Sequence, residues 1–193
     1  MAKAKSKSEH PVRLVVIDLD GTFLRDDKSI PEENLRALAL LNDCKIPYSV
    51  ATGRSYISAF PFLEHFSNQV PVILQNGALM LWTDSLKKHR QISLSSHVAR
   101  FVFSKADAYG LHCVVSRGWL EDACLWLNKP YEGIYLPYLE KHGIQFSLSC
   151  PEKTFTKDDI SEVVLLGCES KMHRLISETF HHFSNTFIII KSF

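Results

Sequence analysis

A chain of 193 residues with 46% hydrophobic side chains is long enough to bury one good core or two small ones, so disorder is not its default state. Its 22 basic and 21 acidic residues leave a formal charge of +1, so no global field recruits nucleic acid or an anionic membrane, and selectivity must come from a local site. Five cysteines, odd in number and never in a C-x-x-C pair, point to a reducing compartment and to thiols without chemistry.

Residues 1–10 are rich in Lys and Ser and hold no secretory apolar core, so they read as a flexible basic tail. No later stretch approaches the ~20 apolar residues of a membrane span. A soluble, cytoplasmic protein is expected. Val12 to Leu19 is an apolar run interrupted by Arg13 and Asp18 and ending at Asp20-Gly21-Thr22; it reads as a buried parallel strand. Ser29-Ile30-Pro31-Glu32-Glu33 then offers an N-cap, a proline near the first turn and acids that suit the helix dipole. A helix to about Cys44 follows.

Tyr48 to Thr52 is a second β-prone run, Ser55 to Phe66 a helix in which Pro61 implies a kink or an early boundary, and Val70 to Gln75 a third strand ending at Asn76-Gly77. Such alternation predicts an α/β fold with a doubly wound, mostly parallel sheet over residues 11–82. In that architecture ligands bind beyond the carboxyl ends of the strands, where the polar signatures fall.

After Trp82 the pattern changes. Helices are predicted from Ser95 to Ala108, Tyr135 to His142 and Lys171 to Phe183, and strands over His112–Ser116, Leu120–Asn128, Glu162–Leu166 and Thr186–Ile190. This α+β segment, with antiparallel-type strands, is assigned to a second domain at 83–193. Asp158-Asp159, ahead of a strand, reads as a helix cap or solvated turn.

The chemistry is concentrated in Asp18-Leu19-Asp20-Gly21-Thr22. Two acids two residues apart can address one site as a strand opens into its loop, one attacking while the other moves a proton. Burying both would be costly without a counter-charge, and a metal cation is the natural one. Gly21 permits a tight loop and leaves its N–H accessible to an anion, and Thr22 adds a hydroxyl and another N–H. Thr52 is open to two readings, a phosphate contact or a strand-end hydroxyl capping the next helix; Arg54 alone suits a solvated side chain, and Asn76-Gly77 alone is a turn.

Taken together, strand-Asp-x-Asp-Gly-Thr, Val50-Ala51-Thr52-Gly53-Arg54-Ser55 and Gln75-Asn76-Gly77-Ala78 resemble three motifs of the haloacid dehalogenase superfamily, in its Cof-like branch with a type IIB α+β cap. The resemblance implies a Mg²⁺-dependent phosphatase of small, sugar-phosphate-like metabolites. In it Asp18 is the nucleophile and a metal ligand, and Asp20 the acid/base, with its carbonyl on the metal. Thr52 holds the phosphoryl oxygens, Gly53 and Arg54 shape that loop, and Asn76 and Gly77 line the substrate edge, with Gly21 and Thr22 beside the phosphate.

Family members also carry, beyond the cap, a bridging Lys and a Gly-Asp-x-x-x-Asp loop that complete the Mg²⁺ site. Lys191 lies on a predicted cap strand and is not assigned to that role. The core therefore reads as incomplete, its first strand as an exposed edge, and weak or absent activity is expected. A truncated product or a homodimer covering that edge follows as the expectation, with a non-catalytic phospho-ligand or protein-binding module as the alternative function. A signalling receiver domain also phosphorylates an Asp on a doubly wound sheet, but the Asp-x-Asp-Gly-Thr spacing and the large second segment argue against it.

Overall fold

The first apolar run forms a strand only over β1 (Val15–Ile17), shorter than its hydrophobic length. Its continuation is drawn into a turn, because the Leu19 carbonyl accepts hydrogen bonds from the N–H groups of Phe23 (3.0 Å) and Leu24 (2.8 Å). The computed structural model describes residues 11–66, 70–119, 124–130, 146–148, 155, 158–184 and 189. It divides into two units, Met1–Arg54 with Ala59–Arg90 and Ser55–Ser58 with Gln91–Phe193.

In the first unit β1 pairs in parallel with β2 (Tyr48–Val50), Val15 opposite Tyr48 and Ile17 opposite Val50. A parallel bridge from Ala51 to Ile73 carries the sheet on to β3 (Val72–Leu74). The crossovers are α1 (Glu32–Asp43) and α2 (Tyr56–Leu63), so the predicted strand-helix alternation is present. Pro61 lies inside α2, which stops two residues later, well short of Phe66.

Two local features differ from the sequence reading. Ser29 does not cap α1: its hydroxyl donates to Asp27 Oδ1 at 2.6 Å, and Pro31 stands at the N-cap instead. And β3 does not lead straight into the second segment. It turns through a single 3₁₀ turn, Gln75–Gly77, into an antiparallel meander with β4 (Leu79–Leu81) and β5 (Lys88–Gln91), which keeps the first unit going to Arg90. Strands of three or four residues give too short an alternation to stand out in the sequence.

Leu19, Val50, Ala59, Leu74, Leu79 and Leu81 are fully buried here, and the rings of Phe23, Tyr48 and Phe66 close one end with centroids 5.1 and 6.1 Å apart. Among the described residues β1 pairs on one side only. Val16 of the strand and Val12 and Leu14 ahead of it are 47%, 62% and 48% exposed.

In the second unit β6 (His112–Arg117) lies between β7 (Cys124–Leu127) and β9 (Ile160–Leu166), antiparallel to both. A strand absent from the sequence reading, β8 (Phe146–Leu148), joins β7 in parallel. The helices α3 (Ser96–Ala106) and α4 (Glu169–His182) contribute Ala99, Val102, Phe103, Ala106 and Leu175 to a core shared with Cys113, Val115 and Ile160 of the sheet. Glu178 ties the two helices together, accepting from Lys105 Nζ at 2.7 Å and from the Tyr109 hydroxyl at 2.6 Å. Asp158 is a helix cap, as one reading had it, but across space: its Oδ1 accepts from the Ser96 N–H at 2.9 Å. The predicted helix at 135–142 and the strand at 186–190 lie outside the described residues, save Ile189. Burial pushes the Cys113 thiol up to about 12, which makes it an inert core side chain.

Candidate active site

Three loops at the carboxyl ends of β1, β2 and β3 make the site. In the first, Leu19 is the anchor: its side chain is buried and its carbonyl receives the returning chain, so the residues on either side, Asp18 and Asp20, are turned out to solvent. Gly21 follows with φ +74, a left-handed backbone that glycine adopts at least cost. The Thr22 N–H is already directed at the Leu19 carbonyl (3.4 Å), so it is not the open anion donor the sequence suggested.

The loop after β2 is fastened to both neighbours through its main chain. Ala51 N–H donates to the Ile17 carbonyl (2.9 Å), Thr52 N–H to Ile73 (3.0 Å), Asn76 N–H to the Thr52 carbonyl (3.2 Å) and Gln75 N–H to the Arg54 carbonyl (3.0 Å). Thr52 is buried and its Oγ1 accepts from the Arg54 N–H at 3.2 Å. This is a bond within the loop, since α2 begins only at Tyr56, so the hydroxyl does not cap that helix, and its own proton is left for another acceptor.

Gln75, Asn76 and Gly77 all have left-handed φ, +48°, +54° and +92°. This tight return brings the Asn76 side chain against Gly53, where a Cβ would stand 3.0 Å from Asn76 Oδ1. Gln75 is buried beneath, and its Oε1 has no hydrogen-bond partner among the described residues.

Arg54 is the largest departure from the solvated side chain its sequence context suits. Its side chain is 7% exposed, its Cζ lies 5.0 Å from the Phe62 ring centroid, and it grips Asp20 with two bonds, Nε to Oδ2 and Nη2 to Oδ1, each 2.7 Å. A third bond comes from Lys28, Nζ to Asp20 Oδ1 at 2.8 Å. The Arg54 guanidinium foremost, with Lys28 adding to it, holds the Asp20 carboxyl far below the usual carboxylate range. Two expectations change accordingly. The acids are exposed rather than buried, and the Asp20 carboxylate has this pair of side-chain cations as counter-charge.

Lys28 was not singled out in the sequence. It ends the turn Arg25-Asp26-Asp27-Lys28, and nothing in its linear context distinguishes it from a solvated turn lysine.

Among the described residues no three His, Cys, Asp or Glu side chains gather as a metal cage. The donors that remain for Mg²⁺, the exposed Asp18 carboxylate and the Asp20 carbonyl, are the hard oxygens that ion takes, and Mg²⁺ keeps several waters of its own. The donor chemistry fits.

A family model described as haloacid dehalogenase-like hydrolase matches residues 15–193. Among curated proteins, a 5-amino-6-(5-phospho-D-ribitylamino)uracil phosphatase of Bacillus subtilis is 30% identical over 133 residues, covering 68% of this chain and 44% of that protein. An HMP-PP phosphatase of Klebsiella pneumoniae is 24% identical over 168 residues, 84% of this chain and 57% of the relative. The chain thus spans about half the length of these relatives. A haloacid dehalogenase-like hydrolase from Bacteroides thetaiotaomicron superposes with a TM-score of 0.75 at 16% identity, over 94% of this chain and 68% of that one. A Thermotoga maritima protein gives 0.70 at 22% identity, over 95% and 67%. No helix among the described residues is long and apolar enough to cross a membrane.

Proposed function

The chain belongs to the haloacid dehalogenase-like hydrolases, and from that premise we propose that it cleaves phosphate esters of small metabolites through an aspartyl-phosphate, with Asp18 as nucleophile and Asp20 as general acid–base. One observation carries the reading. An exposed, unclamped acid, Asp18, and a clamped one, Asp20, share a loop whose neighbours present the Thr52 hydroxyl, Asn76 and two cations.

In this scheme an Asp18 oxygen attacks phosphorus, the ester oxygen leaves with a proton from Asp20, and water, deprotonated by Asp20, then releases phosphate from Asp18. Thr52 donates its hydroxyl proton to a phosphoryl oxygen, and Asn76 borders the substrate. A bound Mg²⁺, held by Asp18 and the Asp20 carbonyl, would supply neutralising charge for the crowded oxygens. As Asp20 stands it is a carboxylate held by Arg54 and Lys28, and it must take up a proton before it can act as the acid. The relatives' printed names, a 5-amino-6-(5-phospho-D-ribitylamino)uracil phosphatase and an HMP-PP phosphatase, support a small phosphorylated metabolite as substrate.

The test is hydrolysis of p-nitrophenyl phosphate by the 193-residue chain with Mg²⁺. Slow turnover is expected, because two donors are few for the ion. The sparse donor set also favours a second reading, a module that binds a phospho-ligand without turning it over. Binding of inorganic phosphate by calorimetry, together with no hydrolysis at any Mg²⁺ concentration, would select that reading.

The one-sided β1 and the exposed apolar residues in and before it lead to a second expectation for the chain on its own. We propose that it self-associates through Val12, Leu14 and Val16. Light scattering on a size-exclusion column is expected to give a dimer mass, reverting to monomer in Val16→Lys; a wild-type monomer at all concentrations would rule this out.

A further inference from the structure

Lys28 has φ +66. Its N–H donates to the Arg25 carbonyl at 2.9 Å, and the Arg25 N–H to the Ser29 carbonyl at 3.0 Å. This is a turn followed by a left-handed residue, the place where glycine or asparagine is cheapest and where another side chain costs roughly 1–2 kcal/mol.

The turn's two main-chain bonds would form equally with glycine at this position, so they do not explain the side chain. The ammonium crosses to Asp20, and both members of the pair are about half exposed, 47% and 42%. An ion pair so placed contributes about 0–1 kcal/mol to folding, no more than the backbone loses. Stability therefore does not account for a lysine here. Left-handed backbone alone does not single out this residue, since Lys45 and Leu86 share it; what sets Lys28 apart is the reach of its ammonium to Asp20 Oδ1 at 2.8 Å.

The bonding at Asp20 indicates what that constraint is. The buried Arg54 spans both oxygens, and the half-exposed Lys28 adds a second cation to Oδ1. One guanidinium fixes the plane of the carboxylate; the ammonium opposes its rocking about the guanidinium and ties the 25–29 turn to it. We infer that Lys28 is a positioning residue for the reaction: it holds the Asp20 carboxylate in register together with Arg54. The inference rests on the assignment of Asp20 as acid–base above. Of the two cations Lys28 is also the one that can let go, being a half-exposed point charge on a flexible stem, whereas Arg54 is buried and bidentate.

The experiment uses Lys28→Gly, Lys28→Met and Lys28→Arg in the 193-residue chain. Lys28→Gly should melt at or above the wild-type temperature, because the backbone strain is relieved. Its kcat on p-nitrophenyl phosphate, and that of Lys28→Met, should fall about 10-fold with KM within about twofold, and Lys28→Arg should restore most of the loss. A readout independent of turnover is solvent exchange of the Arg54 Nε proton by NMR, which should quicken in Lys28→Met and return in Lys28→Arg. A wild type without hydrolysis would sink the phosphatase reading and leave the exchange measurement to decide Lys28 alone. Unchanged Arg54 exchange in Lys28→Met, or a lower melting temperature in Lys28→Gly with kcat intact, would overturn the inference and reduce Lys28 to a turn fastener.

Discussion

Exchanging Asp18 for asparagine is expected to bring phosphoester hydrolysis down to background, a loss of about 10³-fold or more where the wild-type rate allows it to be read. The neutral amide keeps the size of the carboxylate but is a poor nucleophile, and it withdraws the carboxylate proposed to hold a cation. The fold should not register the change. Asp18 is exposed, and its contribution to the loop is the main-chain carbonyl that accepts the Phe23 N–H at 3.2 Å, which asparagine keeps. Thermal unfolding should therefore stay within roughly 0.5 kcal/mol of wild type, as for other surface exchanges. Turnover that survived Asp18→Asn with Mg²⁺ present would remove Asp18 from the nucleophile role.

Arg54→Met is expected to damage both activity and stability. Methionine keeps apolar contact with Phe62 but leaves Asp20 with Lys28 alone, so the carboxylate loses its fixed plane; a fall of about 10²-fold in kcat is anticipated. Loss of two charge-assisted bonds, one partner of which is part-exposed, should cost about 1–3 kcal/mol, seen as a melting temperature lower by several degrees. The pH dependence has a definite sign. Asp20 is depressed in the folded chain relative to about 3.9 unfolded, so the clamp contributes fully above that value and its contribution fades as the pH falls below it, through the folded value. The stability gap between wild type and Arg54→Met, measured by urea unfolding, should be constant near neutrality and narrow below about pH 4. A gap that widened on acidification would show that the ion pair is not what Arg54 contributes.

The parallel half of the fold and the position of the site were legible because apolar runs ended at Asp20-Gly21, Gly53 and Asn76-Gly77, and punctuation of that kind marks the carboxyl ends of strands. The meander β3–β5 was not, since it uses strands of three and four residues, and β5 (Lys-His-Arg-Gln) has every side chain exposed. The placing of two acids in one loop could be read from Asp18-x-Asp20, but their electrostatics could not. Arg54 and Lys28 lie 34 and eight residues from Asp20, and only the folded loop brings them to it. The expected N-cap Ser29 failed for the same reason on a smaller scale, as Asp27 competed for its hydroxyl.

Besides the Arg54–Asp20 clamp, the three site loops are laced together by peptide groups, Ile17 to Ala51, Thr52 to Ile73, Thr52 to Asn76 and Arg54 to Gln75. Every amino acid but proline brings the donor such a seam requires. Mutational drift can thus rewrite most of the surrounding letters without unpicking the cradle, which accounts for a shared scaffold persisting at 16–22% identity among distant bacterial proteins.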